Sequence, residues 1–177
     1  MYKIDILLKQ NQKIFHTKDL ALLWQIKNLN TLYTSIKRYV QKGVLIKVHK
    51  GLYATVPLEN LEPLKLGLAV LHSFSYLSTE SVLTLSGIIF QSNNYLTFVS
   101  NHSQKFSVGN HFYLVRKMKD EFLYQSSGVQ DQNGVKTATV ERAVADLLYF
   151  NSSTYFDNRK AINWSKVKEM QKEVGFK

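Results

Sequence analysis

The residues best suited to chemistry stand in two short stretches. Thr31, Thr34, Ser35, Lys37, Arg38, Gln41 and Lys42 fall within twelve positions, and Lys47, His49 and Lys50 follow close behind. Hydroxyls, a carboxamide and a guanidinium are the groups that hydrogen-bond base edges in a DNA groove, and lysine ammonium groups neutralise phosphates. Arg38 suits a guanine bidentately, Gln41 suits an adenine, and Thr31, Thr34 and Ser35 suit either kind of edge. Leu32, Ile36 and Val40 recur every four residues between them. That spacing predicts a helix whose apolar side faces a core, flanked by Tyr33 and Tyr39, and whose polar side is left outside.

Elements must hold these groups in place, and the local signals supply them. A first helix is predicted over Tyr2–Gln10, from Ile4, Leu7 and Leu8. Phe15–His16 suits a short extended piece. Thr17 is the expected cap of a second helix over Lys18–Gln25, with Asp19 in its first turn, where a negative charge suits the helix dipole. A turn over Ile26–Leu29 leads to the third helix, capped by Asn30 or Thr31 and ended by Gly43. Val44–Val48 and Leu52–Val56, joined by His49-Lys50-Gly51, read as a hairpin, and Pro57 closes its second strand. Three helices and a basic hairpin are the order of a winged helix-turn-helix, here over residues 1–56.

Charge agrees with that placement. The chain carries a net charge of +10 over 177 residues. Residues 1–56 hold ten Lys and Arg against two acids, Asp5 and Asp19, a net of +8, and the other 121 residues carry the remaining +2. Concentration of charge in one third of the chain implies a local site for a polyanion, double-stranded DNA above all. Arg116-Lys117-Met118-Lys119 is followed at once by Asp120-Glu121 and reads as a solvated surface.

Residues 57–63 (PLENLEP) read as a linker, and residues 64–177 as a mixed α/β domain, which makes the whole an α+β protein. Helices are expected over Leu64–His72, Ser78–Leu85 and Ser165–Val174, and from Thr139, the cap of a helix carrying Ala143, Val144, Leu147 and Leu148. Strands are expected over Ile88–Phe90, Tyr95–Val99, Lys105–Val108, Phe112–Val115, Phe122–Gln125 and Gly134–Thr137. Tyr76, Tyr95, Phe98, Phe106, Phe112 and Tyr113 make this half rich in aromatics, either as core or as a protein-binding surface.

Other chemistry finds little support. The chain has no cysteine, so disulfides, thiolate catalysis and cysteine-ligated zinc are excluded, which suits a cytoplasmic protein. No signal peptide is visible, and the uncharged run Leu66–Thr79 is too short to span a bilayer. The histidines His16, His49, His72, His102 and His111 lack metal-ligand spacing. Ser126-Ser127-Gly128 lacks the flanking glycine of a nucleophile elbow. Arg142 and Asp146 stand four apart on one helix, where they can pair with each other, and Glu141 suits the helix start. The expectation is a protein that is not an enzyme and has no cofactor and no metal.

Three stretches carry a resemblance. Gly43–Tyr53 (GVLIKVHKGLY), Tyr76–Leu83 (YLSTESVL) with Ser86-Gly87, and Ala138–Leu148 (ATVERAVADLL) are similar to elements of the AbiEi-type antitoxins of type IV toxin–antitoxin and phage-defence systems. The third stretch has Val140 where that family usually has proline. The resemblance implies repression of the chain's own promoter by the first domain. It also implies an antitoxin or regulatory role for residues 64–177, with a nucleotidyltransferase-like toxin as partner.

Overall fold

A computed structural model describes residues 3–91 and 94–176. Two compact units divide between Val70 and Leu71. The structure is mixed α+β, with two sheets. No helix among the described residues is long and apolar enough to cross a membrane.

The first unit places α1 (Lys3–Leu8), β1 (Ile14–His16), α2 (Thr17–Leu23) and α3 (Leu29–Gln41) before the hairpin β2 (Ile46–His49) and β3 (Leu52–Ala54). Strand β3 lies between β1 and β2 and pairs antiparallel with both. Leu7, Phe15, Leu20, Trp24, Leu32, Ile36 and Leu45 form one buried cluster, so each helix and both ends of the sheet region contribute to it. In so small a core each large apolar side chain matters, since truncation to alanine costs about 2–5 kcal/mol. Trp24 ties the ends together. Its ring lies 5.3 Å from that of Tyr39, and its indole N–H donates to the Lys3 carbonyl at 3.1 Å.

Past the hairpin, the expected linker contains a 3-10 turn over Leu58–Asn60 and leads into α4 (Pro63–Leu71), within which the two units divide. Proline at the first helical position suits a helix start, because its missing N–H would have no helical partner there.

The second unit is built on a six-stranded mixed sheet. Its strands are β4 (Ser75–Leu77), β5 (Tyr95–Ser100), β6 (Gln104–Val108), β7 (His111–Lys117), β8 (Val129–Gln132) and β9 (Val135–Ala138), in the order β6-β7-β5-β4-β9-β8. The pairs β5–β7 and β4–β9 are parallel and the others antiparallel. Three further helices follow the expected pattern in part: α5 (Glu80–Leu85), α7 (Val140–Phe150) and α8 (Trp164–Val174), with α7 packed on both of the others. Of the six aromatics, Tyr76, Phe98 and Tyr113 are fully buried, whereas Phe112 is exposed.

Several elements differ from the sequence reading. Phe122 belongs to a short helix, α6 (Asp120–Leu123), rather than to a strand. Two acids open that helix, which suits the dipole, and this outweighs the β-propensity of the phenylalanine. Ile88–Phe90 is not a strand. Its Ile88 and Ile89 amides both donate back to the Leu83 carbonyl, which closes the end of α5. Strand β4 occupies residues just before the expected helix, and α5 starts at Glu80 instead of Ser78.

Candidate nucleic-acid interface

Helix α3 starts two to three residues earlier than expected, because Asn28 rather than Asn30 or Thr31 caps it, its side chain accepting from the Thr31 amide at 3.1 Å. Thr31 is thereby a helical residue whose amide is satisfied by the cap. At the other end Gly43 takes φ +70°, left-handed backbone that a glycine adopts without strain. The Val44 and Leu45 amides both donate to the Tyr39 carbonyl, so the chain reverses at once and enters the hairpin. The preceding helix is capped differently from expectation. His16, not Thr17, is its N-cap, and the His16 amide donates to the Asp19 carboxylate at 2.7 Å. Asp19, three residues on, reaches back to the cap's amide, and a charged carboxylate makes that bond a strong one.

The faces of α3 follow from its core contacts. Leu32 and Ile36 are buried, and Val40 and Tyr39 pack beside them. At about 100° per residue, Thr34 and Gln41 project roughly opposite Leu32, with Lys37, Arg38 and Thr31 to either side. Thr31, Thr34, Lys37, Arg38, Gln41 and Lys42 are all exposed. Ser35 is set apart from them. It is half-buried, and its hydroxyl accepts from the Lys3 ammonium at 3.1 Å. That ammonium also lies 5.8 Å from the centroid of the Trp24 ring. Lys3 therefore joins α1 to α3, a link the sequence reading missed, since residues 32 positions apart carry no local signal.

The hairpin places its charges by alternation. Along β2, Ile46 and Val48 are half-buried while Lys47 and His49 are exposed, and Lys50 at the turn is exposed as well. Gly51 takes φ +73°. Its carbonyl accepts from both the Thr17 amide, at 2.9 Å, and the Thr17 hydroxyl, at 3.2 Å. The turn is thus fastened to the first residue of α2. Among the described residues, Lys37, Arg38, Lys42, Lys47 and Lys50 make no ion pair. Their charge is open to solvent and to any polyanion.

The second cluster singled out in the sequence is structural in geometry. Arg142 and Asp146 are fully buried on α7. Every N–H direction of the guanidinium is used. Nε donates to Asp146 at 2.8 Å, one terminal nitrogen to the Gln125 and Ser127 carbonyls, and the other to the Tyr76 hydroxyl and the Phe122 carbonyl. Asp146 also accepts from Ser78 at 2.7 Å and Tyr76 at 3.0 Å. Burial pushes the Tyr76 hydroxyl far above its ordinary value. Burial also pushes the Asp146 carboxyl up, against the pull of the Arg142 charge. Burial works to lower the Arg142 guanidinium, but Asp146 and Tyr76 outweigh it and hold it above its ordinary value. Gly128 closes the site: a Cβ there would lie 2.7 Å from that of Arg142. The five donors have no capacity left for a ligand, so this network fastens loop 125–128 and β4 to α7.

No protein-family model matches the chain, and a search of characterised proteins returns no match.

Proposed function

We propose that the chain is a DNA-binding transcriptional regulator whose first unit is a winged helix-turn-helix. The observation that carries this reading is the outer face of α3, where Thr31, Thr34, Lys37, Arg38 and Gln41 are exposed opposite the buried Leu32 and Ile36. The order α1-β1-α2-α3-β2-β3, with β3 central in the sheet, supports it. In this reading α3 enters the major groove, with Arg38 and Gln41 on base edges. Lys42 and the hairpin residues Lys47, His49 and Lys50 rest on phosphates. Ser35 serves the α1–α3 link rather than a base.

The target is the chain's own promoter, and the second unit acts as the antitoxin of a type IV system against a nucleotidyltransferase-like toxin. Supporting this part is the resemblance of residues 43–53, 76–83 and 138–148 to the AbiEi-type antitoxins. The test is binding of the purified protein to double-stranded DNA from its own promoter and to scrambled DNA of equal length. Preference for the promoter by at least about a thousandfold is expected. Equal affinity for both would overturn the sequence-reading role of α3. Growth rescue in cells expressing the toxin, by the full-length protein, tests the antitoxin role separately.

A further inference from the structure

Two large apolar side chains of α3 stand in water. Leu29 is 62% exposed and Tyr33 is 54% exposed. They are four residues apart, so they are neighbours on one side of the helix. At about 100° per residue, and with Leu32 as origin, Leu29, Tyr33, Lys37 and Gln41 lie at about 60°, 100°, 140° and 180°. One row therefore climbs from the rim of the core to the outer face, apolar over its first two members and polar over its last two. The opposite flank is closed. Ser35 lies there, at about 300°, and its hydroxyl accepts from Lys3 of α1 at 3.1 Å. The flank of Tyr33 is the open one. Neither Leu29 nor Tyr33 buries much surface in the core, so the fold alone does not require a leucine and a tyrosine there.

Base edges in a major groove offer hydrogen-bonding groups almost throughout, and their apolar group is the 5-methyl of thymine. An apolar strip on a helix lying in that groove therefore has one complement. Resting on the reading of α3 as the groove helix, we propose that Leu29 and Tyr33 are specificity residues that pack on thymine 5-methyl groups. Lys37, next in the row, is exposed and makes no ion pair among the described residues. On a phosphate it holds the row against the groove wall, where the apolar pair meets the methyl groups.

The test compares the natural promoter duplex with one in which every thymine is replaced by uracil. Uracil lacks the methyl and keeps the hydrogen-bonding edge. Burial of one methyl-sized group is worth about fourfold in affinity, so full-length protein should bind the uracil duplex about fourfold more weakly for one methyl covered and about fifteenfold for two. Tyr33→Ala and Leu29→Ala should each shrink that ratio, and the double substitution should abolish it. Tyr33→Phe keeps the ring and should leave the ratio unchanged, which separates the ring from a phenol hydroxyl on phosphate. Melting temperatures should stay level, because both side chains are exposed. Equal affinity of the wild-type protein for the two duplexes, with preference for promoter over scrambled DNA retained, would overturn this assignment and leave groove reading by α3 standing. A ratio that survives the double substitution would overturn it too, since uracil would then act through the shape of the duplex. Absence of any preference for the promoter would remove both readings together.

Discussion

If the proposed DNA binding holds, salt should act on it through a countable set of charges. Lys37, Arg38, Lys42, Lys47 and Lys50 are exposed on α3 and the hairpin and make no ion pair among the described residues. Lys3 is left out of the count because its ammonium is held by Ser35. Arg38 is assigned to a base edge, so the four lysines are counted; each phosphate neutralised contributes about −0.9 to the slope of log K against log salt, and four contacts give about −3.6. A rise from about 50 to about 200 mM salt is fourfold and should then weaken binding roughly 150-fold. Fluorescence anisotropy with a labelled promoter duplex over that range measures the slope. Replacing Lys50 by alanine should make it shallower by about one. A slope flatter than about −2 would mean that at most two of these cations meet phosphates, and the assignment of this surface would fail.

Specificity and affinity should separate by residue. Arg38→Ala should cost about 1–3 kcal/mol on the promoter and less on random DNA, whereas Lys50→Ala should weaken both alike, as competition assays would show. Asp146→Ala removes the acceptor of three buried hydrogen bonds, from Arg142 Nε, Ser78 and Tyr76, leaves the buried guanidinium without its counter-charge, and should destabilise the second unit by about 3–5 kcal/mol in urea unfolding. A loss under about 1 kcal/mol would contradict the reading of that network. Burial pushes the Tyr113 hydroxyl up to about 12, so the folded state keeps a proton that the unfolded chain releases near its ordinary value of about 10. Stability from this group is complete below pH of about 10 and is lost as pH rises towards about 12, by up to about 3 kcal/mol. Tyr76 acts in the same direction, and urea midpoints that stay level across this range would refute the claim.

Local signals explain what the sequence made legible. Leu32, Ile36 and Val40 at helical spacing, with Gly43 after them, place α3 to within a residue or two, because both its core face and its C-terminal turn are written locally. Its start was less legible, since Asn28, Asn30 and Thr31 are all good caps and only the backbone decides among them. Ser75–Leu77 gives no strand signal, because a short central strand buried on both faces lacks alternation. Val129–Gln132 fails for the opposite reason: it is an edge strand with three exposed polar residues. The i, i+4 spacing of Arg142 and Asp146 revealed their pairing. It did not reveal Tyr76, Ser78 or the carbonyls of Gln125 and Ser127, which arrive from distant parts of the chain. The Lys3–Ser35 bond and the Glu80–Arg116 ion pair were hidden for the same reason.

The pair of hydrogen bonds from Thr17 to the Gly51 carbonyl bears on how quickly the protein would engage DNA if the proposed function holds. A hairpin held at its turn cannot sweep freely, so Lys47, His49 and Lys50 present one fixed constellation before any encounter. Little configurational freedom remains to be surrendered on docking. On the proposed function, association with DNA would then resemble the meeting of two rigid bodies guided by long-range attraction, with a rate that depends on diffusion and ionic strength rather than on a search through loop conformations.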